Sequence, residues 1–188
     1  SEGDGRNLVL PPGEWHIASN LPYNVGTIIF LNLMEQRDRI NQMILMFQAE
    51  VSQRILGTSG ARSQGFLSVL TALEWDANRM MRVRPGAFHP PPKVMSEVIL
   101  LKRNLTLPGW PEPREDFRTF VDAAFRTRRK TLRNSLSVSG YDKAQIEKAI
   151  EEANLSASVR AEQLNANQLA QLFHHFPGDS HAPIRMRR

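Results

Sequence analysis

The sequence predicts an α/β domain followed by a small all-helical domain. Up to Leu107, short apolar runs of strand length alternate with segments of helical periodicity. After Pro113, every apolar pattern has helical spacing. Three prolines and one glycine lie in the segment that ends at Pro113, a composition typical of a linker. We therefore place the domains at residues 1–107 and 114–188, joined by a linker at 108–113.

Composition and charge restrict the class of protein. With 41% hydrophobic and 23% charged residues, the 188-residue chain has the composition of an ordinary globular protein. No apolar run is long enough to span a membrane, and we expect no secretory signal at Ser1. The absence of cysteine excludes disulfides and thiolate metal sites and is typical of a reducing compartment. The net charge of +5 favours a polyanionic partner.

Strands and helices alternate from the start of the α/β domain. A short apolar run that ends at Asn20 predicts a strand, and the apolar spacing of Ile28–Met34 predicts a helix. The continuous apolar run Met43–Phe47 predicts a strand buried on both faces. Val51 and Ile55 follow one helical turn apart, so a second helix is expected there.

The rest of the α/β domain ends in two strands. The Gly/Ser-rich composition of residues 57–64, which include Arg62, predicts a loop. Met80–Val83 and Val94–Lys102 predict strands, and prolines stiffen the loop Gly86–Lys93 between them. A helix before these strands has three leucines on one face: Leu67, Leu70 and Leu73.

Three apolar stripes predict helices in the second domain. Asn165, with Gln168 three residues later, predicts a capping box at the start of the last helix. Pro177 and Gly178 should end that helix, and the basic residues 180–188 predict a disordered tail. The stripes are Phe117, Phe120, Val121 and Ala124; Ile146, Ala149 and Ile150; and Leu169, Leu172, Phe173 and Phe176.

The turn Asn20-Leu21-Pro22-Tyr23 is the centre of the predicted α/β domain. It joins a strand to a helix, and α/β proteins place ligands at the carboxyl ends of strands. Pro22 stiffens the turn and removes one backbone donor. Asn20 offers a side-chain carbonyl and an amide, backbone carbonyls are expected to face a pocket, and Tyr23 offers a flat face for stacking. Together these groups suit a planar base that carries an exocyclic amine.

This turn resembles the catalytic turn of the S-adenosylmethionine-dependent N6-adenine methyltransferases. The leucine in second place is similar to the rRNA adenine dimethyltransferases, and four further stretches agree with that family, in its KsgA group, in order and spacing. The resemblance covers most of the chain. The four stretches are Met46–Val51, Gly65–Val69, Gly86–Val94 and Arg128–Leu136.

The resemblance implies a Rossmann-like methyltransferase domain of which this chain holds a part. Family members begin with a Gly-rich strand-turn-helix that cradles the cofactor S-adenosyl-L-methionine, and an acidic residue for the ribose follows; neither is found here. Asp4 and Asn20 are the expected cofactor contacts, although Asp4 also fits a solvated loop residue. We therefore expect these residues alone to bind the cofactor weakly.

The family's catalytic residues carry over to Asn20, Leu21, Pro22, Tyr23 and Phe88. Asn20 Oδ1 and the backbone carbonyl of Leu21 or Pro22 are the candidates to accept hydrogen bonds from the adenine N6 amine. A target base must leave its stack to reach them, and Tyr23 and Phe88 are expected to stack on it. The alternatives are a plain turn residue for Asn20 and a core aromatic for Phe88.

A basic cluster near the start of the helical domain predicts contacts with RNA phosphates. No acidic residue occurs between Asp122 and Asp142, and the charges cover one face of a predicted helix opposite Leu132 and Leu136. An ordinary solvated surface is the alternative. Arg82 and Arg84, beside the Phe88 loop, are expected to extend this surface. The cluster consists of Arg126, Arg128, Arg129, Lys130 and Arg133.

The function that the resemblance implies is dimethylation of two adjacent adenines near the 3′ end of small-subunit rRNA. The substrate would be a ribosome assembly intermediate in the cytoplasm, with no membrane partner. A large-subunit rRNA dimethylase is one alternative, against which the stretch Arg128–Leu136 argues. A non-catalytic RNA-binding or assembly factor is another. The five histidines show no ligand geometry, and we predict no metal.

Overall fold

The computed structural model describes residues 7–58, 64–127 and 129–176, which form two compact units. The sheet unit contains residues 7–58 and 74–107, and the helical unit contains the other described residues. Residues 64–73 group with the helical unit, although the sequence analysis assigned them to the α/β domain. The first unit is therefore discontinuous in sequence.

A four-stranded mixed sheet forms the centre of the sheet unit. The strands are β1 (Trp15–Asn20), β2 (Ile40–Gln48), β3 (Trp75–Val83) and β4 (Ser96–Arg103), in the order β1-β2-β4-β3. β1 pairs with β2 in parallel, and the other two pairs are antiparallel. β3 and β4 form a hairpin, and β3 lies at the sheet edge. β3 begins at Trp75 rather than at the predicted Met80, and β4 begins at Ser96 rather than at Val94.

Two helices complete the sheet unit, α1 (Gly26–Glu35) and α2 (Ala49–Leu56). α1 buries Phe30, whose ring meets that of Phe47 on β2 edge to face at 5.8 Å. Gly57 ends α2 in the left-handed conformation, at φ 66°, which glycine adopts without steric cost. The predicted helices at Ile28–Met34 and at Val51 and Ile55 are confirmed.

Five helices make up the helical unit. Trp110 Nε1 donates to the carbonyl of Leu70 at 2.8 Å. This hydrogen bond connects the segment before the helix that begins at Arg114 with the helix that contains Leu70. The predicted capping box is confirmed, because Gln168 N donates to Asn165 Oδ1 at 2.9 Å and Asn165 N to Gln168 Oε1 at 3.0 Å. The helices are α3 (Phe66–Ala72), α4 (Arg114–Phe125), α5 (Leu132–Val138), α6 (Lys143–Glu152) and α7 (Ala166–Phe173).

An aromatic cluster forms the core of the helical unit. The Phe120 ring lies 5.6 Å from Phe173, 5.4 Å from Phe176 and 5.9 Å from Tyr141. Phe117 contacts Phe173 edge to face at 5.4 Å. All five side chains are buried, so the apolar stripes predicted for α4 and α7 meet in one core.

Shorter features complete the described chain. 3₁₀ turns occur at Arg37–Arg39, Pro85–Ala87 and Ala161–Gln163. None of the helices in the described ranges has the length and apolarity that crossing a bilayer requires.

Tyr141 predicts how the helical unit responds to alkaline pH. Burial raises the pKa of the Tyr141 phenol above its ordinary value of about 10, and the carboxylates of Asp116 and Asp122 raise it further, while Arg126 opposes them. The phenol of Tyr141 has a higher pKa in the folded state than in the unfolded state. Its contribution to stability is therefore complete below the unfolded-state pKa and is lost as pH rises from that value through the folded-state pKa. We therefore expect the free energy of unfolding of the helical unit to fall as pH rises from about 8 to 11. Chemical denaturation at each pH, followed by a spectroscopic signal from the helical unit, measures this free energy.

The Tyr141→Phe variant should lose less stability than the wild type across this pH range. The difference between the two slopes measures the contribution of the Tyr141 phenol. Equal slopes in Tyr141→Phe and the wild type would contradict the assignment.

Candidate active site and RNA-binding surface

The turn after β1 is closed by its own backbone. Leu21 N donates to the carbonyl of Met46 on β2 at 3.4 Å, which extends the pairing beyond the strand. The carbonyl of Pro22 accepts from Val25 N at 3.2 Å and from Gly26 N at 2.7 Å. These bonds lead the chain directly from the end of β1 into α1.

Close packing beneath the turn holds it in this shape. Leu21 is buried, and a Cβ at Gly26 would lie 3.3 Å from Leu21 Cβ and 3.7 Å from Phe47 Cδ1. Glycine at this position therefore allows the start of α1 to approach the turn. As a result, the exposed residues Asn20 and Tyr23 stand on a rigid, buried base.

The hydrogen bonds of Pro22 bear on the choice of acceptor for the target amine. A carbonyl oxygen has two lone pairs, and two backbone N–H groups already bind that of Pro22. Of the two carbonyls predicted as acceptors, that of Leu21 is therefore the favoured one. Asn20 Oδ1 and the Leu21 carbonyl remain as candidates, and the Asn20 side chain makes no hydrogen bond with another described residue.

A cavity of about 380 Å³ brings the turn and the Phe88 loop together. Such a volume lies within the usual range for small-molecule sites, about 300–1,000 Å³. Phe88 is half-buried and contributes to the wall, so it is not part of the closed core. His89 was not predicted from the sequence, since a loop histidine gives no periodic signal. The lining residues are Asn20, Leu21, Pro22, Tyr23, Phe88, His89, Pro90 and Pro92.

The Phe88 loop is anchored by the strands on both sides of it. Phe88 N donates to the Pro85 carbonyl at 3.1 Å within the 3₁₀ turn that follows β3. At the other end, Ser96 begins β4, and its Oγ lies 2.7 Å from the phenol oxygen of Tyr23. Tyr23 and the Phe88 loop thus both connect to the start of β4.

A buried carboxylate holds two arginines of β3. Glu97 is 0% exposed, and its Oε1 accepts from Arg82 Nε at 3.0 Å and from Arg79 Nη1 at 3.2 Å. The side chains of Arg79 and Arg82 are 43% and 58% exposed. Arg82, predicted to contact RNA, is therefore also a counter-ion. Arg84 is exposed where the Phe88 loop begins.

The basic cluster of the helical unit does not lie on one helix, so that prediction is wrong. α4 ends at Phe125 and α5 begins at Leu132, with the Thr131 hydroxyl accepting from Asn134 N at 3.3 Å. This cap starts a new helix, because a side-chain oxygen takes the place of an intrahelical carbonyl. Arg126, Arg129 and Lys130 lie in the connection, and Arg133 lies on α5. All four side chains are exposed.

Two arginines of this cluster pair with carboxylates, and the fold brings one of these carboxylates from α6, outside the acid-free interval. Arg126 pairs with Asp122 at 2.9 Å, and Arg133 pairs with Glu147 on α6 at 3.2 Å. α6 also brings Lys143 to a cavity of about 440 Å³. Lys143 was missed because it is distant in sequence from the cluster. The cavity lining is Thr127, Lys130, Arg133, Asn134, Ser137, Val138, Lys143 and Glu147.

Some predicted residues lie outside the described part of the chain. Asp4, the expected cofactor contact, and Arg128, a member of the basic cluster, are among them. Most of the loop with Arg62 and the basic residues 180–188 are also outside it. In the described ranges, no group of three or more histidine, aspartate or glutamate side chains could hold a metal ion. His175 instead pairs with Glu152 at 2.8 Å.

Comparison with known proteins decides the family. The family model described as ribosomal RNA adenine dimethylase matches residues 10–177. The chain belongs to this family. A relative from Syntrophotalea carbinolica, named ribosomal RNA small subunit methyltransferase A, is 38% identical over 165 residues, covering 88% of this chain and 62% of that protein. A relative of the same name from Geobacter sulfurreducens is 39% identical over 165 residues, covering 86% and 59%. The chain thus spans less than two thirds of the length of these relatives.

Solved structures confirm the Rossmann-like fold of the family. A dimethyladenosine transferase from Plasmodium falciparum matches with a TM-score of 0.74 at 20% identity, covering 91% of this chain and 70% of that chain. The 23S rRNA methyltransferase ErmE matches with a TM-score of 0.63 at 20% identity, covering 92% and 69%. At 20% identity, these two matches show a shared fold and nothing more specific.

The Glu97 cluster predicts a large effect of removing its arginines on stability. Changing Arg79 and Arg82 to alanine together leaves a buried carboxylate without its cations. We expect a loss of about 2–3 kcal/mol in the free energy of unfolding, less than the ~3–5 kcal/mol for a fully buried pair, because water reaches the arginine side. Urea denaturation measures this loss.

A third substitution separates charge from packing. Adding Glu97→Gln to the double variant removes the unpaired charge and should recover part of the lost stability. The matched control changes two exposed cations nearby, Arg84 and Lys93, to alanine and should alter stability by less than about 0.5 kcal/mol. A double variant as stable as this control would contradict the role of Glu97.

Proposed function

We propose that this protein, in the form that its gene encodes, dimethylates N6 of two adjacent adenines near the 3′ end of small-subunit rRNA. S-adenosyl-L-methionine is the methyl donor, and the substrate is a ribosome assembly intermediate in the cytoplasm. The observation that carries the proposal is the cavity in which the Asn20–Tyr23 turn meets Phe88. Membership of the ribosomal RNA adenine dimethylase family supports the reaction class.

The site supplies hydrogen-bond acceptors for the target amine. The N6 lone pair of adenine is delocalised into the ring, so this nitrogen is a poor nucleophile. Asn20 Oδ1 and the Leu21 carbonyl would accept the two N–H groups and favour a pyramidal nitrogen with a localised lone pair. The turn is held by Met46 and by the Pro22 hydrogen bonds, so these acceptors are oriented before the substrate binds. The proton can leave after the methyl group has arrived, so no strong base is required.

The aromatic walls of the cavity suit a base that has left its stack. Unstacking costs a few kcal/mol, and each aromatic face that receives the base offsets about 1–3 kcal/mol. Tyr23 and Phe88 lie on the same cavity and are partly exposed. In this proposal they hold the adenine from its faces while Asn20 and Leu21 bind its edge.

The described residues fit the methyl-bearing end of the cofactor. Asn20 stands exposed at the carboxyl end of a parallel strand, where doubly wound folds bind their ligands. Its amide is neutral, so it leaves the positive charge of a sulfonium undiminished. When bound, S-adenosyl-L-methionine supplies an electrophilic methyl group with a good leaving group. Asp4 remains our proposed contact for its adenosine part.

The small subunit is preferred over the large subunit as the source of the substrate. Relatives at 38% and 39% identity carry the name ribosomal RNA small subunit methyltransferase A, whereas ErmE, a 23S rRNA methyltransferase, is 20% identical. A non-catalytic assembly factor would bind the same RNA. Methyl transfer to small subunits that lack these methyl groups separates the enzyme from the binder.

RNA phosphates are the proposed ligands of the basic cluster in the helical unit. Arg129 and Lys130 are exposed, and Lys143 shares a cavity with Lys130 and Arg133. Arg126, Arg133 and Arg82 are each paired with a carboxylate, so their net contribution to phosphate binding is smaller. Arg128 completes this cluster, and Arg82 and Arg84 are proposed separately as RNA contacts of the sheet unit.

Asn20→Ala tests the catalytic proposal. The variant removes a hydrogen-bond acceptor from an exposed position, so the rate of methyl transfer should fall at least about 100-fold while the fold is preserved. Asn24→Ala, the same change at an exposed position of the same turn, is the matched control and should stay within about 2-fold of wild type. Turnover of Asn20→Ala at the level of this control would refute the assigned role.

Phe88→Ala distinguishes a cavity wall from a core position. Loss of one stacking face should lower kcat/KM, by an amount that corresponds to a rise of about 1–3 kcal/mol in activation free energy, with little change in Tm. Phe30→Ala, at a fully buried phenylalanine, should instead cost about 3–5 kcal/mol of stability. If Phe88→Ala lowers Tm as Phe30→Ala does, Phe88 belongs to the core.

Lys130→Ala tests the RNA surface through its salt dependence. Removing one cation that binds a phosphate should flatten the slope of log affinity against log salt by about 0.7–0.9, because fewer counterions are released. Lys148→Ala, on α6, is the control, since Lys148 pairs with Glu152 within its own helix. A slope unchanged from this control would exclude Lys130 from the RNA-binding residues.

A further inference from the structure

Tyr23 is held at both ends of its side chain. Its backbone lies in the turn that the Pro22 carbonyl closes, and its phenol oxygen lies 2.7 Å from Ser96 Oγ. Ser96 is 0% exposed, whereas Tyr23 is 38% exposed and lines the cavity. The hydroxyl is thus engaged by a buried partner, while part of the ring stays accessible.

Ser96 is itself fixed by the sheet. It pairs with Gln48 on β2 and with Val83 on β3, so its strand is bonded on both sides at this residue. It is also the first residue of β4 after the loop that carries Phe88. One rigid residue therefore joins the end of the Phe88 loop to the tip of Tyr23.

We propose that Ser96 is a positioning residue, whose hydroxyl fixes the Tyr23 ring so that its face receives the target adenine. This inference rests on the proposed function. A tyrosine side chain that is free at its tip must lose rotational freedom when a base stacks on it. A ring held in advance avoids that loss and keeps the amine close to Asn20 and Leu21. With its hydroxyl bound to Ser96, Tyr23 acts through its ring face.

A spectroscopic measurement tests the contact itself. The chain has two tyrosines, so labelling with [ζ-¹³C]tyrosine gives one signal for Tyr23 and one for Tyr141. Ser96→Ala should shift the Tyr23 signal and leave that of Tyr141, which lies in the helical unit and reports that this unit is folded. An unchanged number of backbone amide signals from the sheet unit reports that the sheet unit is folded as well. A Tyr23 signal at its wild-type position would overturn the proposal.

Kinetics of a double-mutant cycle test the role. Ser96→Ala and Tyr23→Phe should each lower kcat about 10-fold with KM for RNA within about 2-fold, because misorientation acts in the reacting complex. The double variant should be no slower than either single variant, since both remove the same hydrogen bond. A double variant slower by the product of the two effects would overturn the proposal.

Matched controls separate this inference from the proposed function. Ser52→Ala changes another 0% exposed serine of the sheet unit, whose hydroxyl has no hydrogen-bond partner within the described chain, and should leave kcat unchanged. If Ser96→Ala behaves like Ser52→Ala while Asn20→Ala is inactive, the positioning role fails and the catalytic turn stands. If Asn20→Ala also keeps full activity, the proposed function itself fails, and the role of Ser96 fails with it.

Discussion

The pairing of β4 with strands on both sides is the constraint on which the candidate site depends. Ser96 and Glu97, its first two residues, are fully buried although both are polar. Each has a hydrogen-bonding task that burial makes stronger, because water does not compete for its partner. Ser96 holds Tyr23, and Glu97 holds Arg79 and Arg82. The start of one central strand thus connects the aromatic wall of the cavity with the cations beside it.

The turn after β1 shows how a rigid frame leaves reactive groups available. Its backbone bonds engage the Pro22 carbonyl twice, and Leu21 is buried against the start of α1. The Pro22 carbonyl thus stabilises the turn, whereas the Asn20 side chain is left available for chemistry. Asn20 stays exposed at the strand end, where a hydrogen-bond acceptor is available to a ligand.

The sequence by itself determined most of the helices and strands and the residue types at the candidate site. Apolar spacing predicted α1 and the stripes of the helical unit, and a continuous apolar run predicted β2, since both patterns are local properties of the sequence. The capping box at Asn165 is equally local, because its two hydrogen bonds span three residues. The residue types of the turn from Asn20 to Tyr23 suit a planar base with an exocyclic amine, and the resemblance of the turn to a known family proposes adenine as that base.

Only the tertiary structure decided which groups meet and which remain available. The bond from Tyr23 to Ser96 joins residues far apart in sequence, and the pair of Arg133 with Glu147 brings an acid to a stretch that has none in sequence. The same holds for residues 64–73, which look like part of the α/β domain but pack with the helical unit. In each case the partner lies on another strand or helix, and periodicity along one segment carries no information about that partner. Pairing and packing across the fold therefore decided how the predicted residues are held.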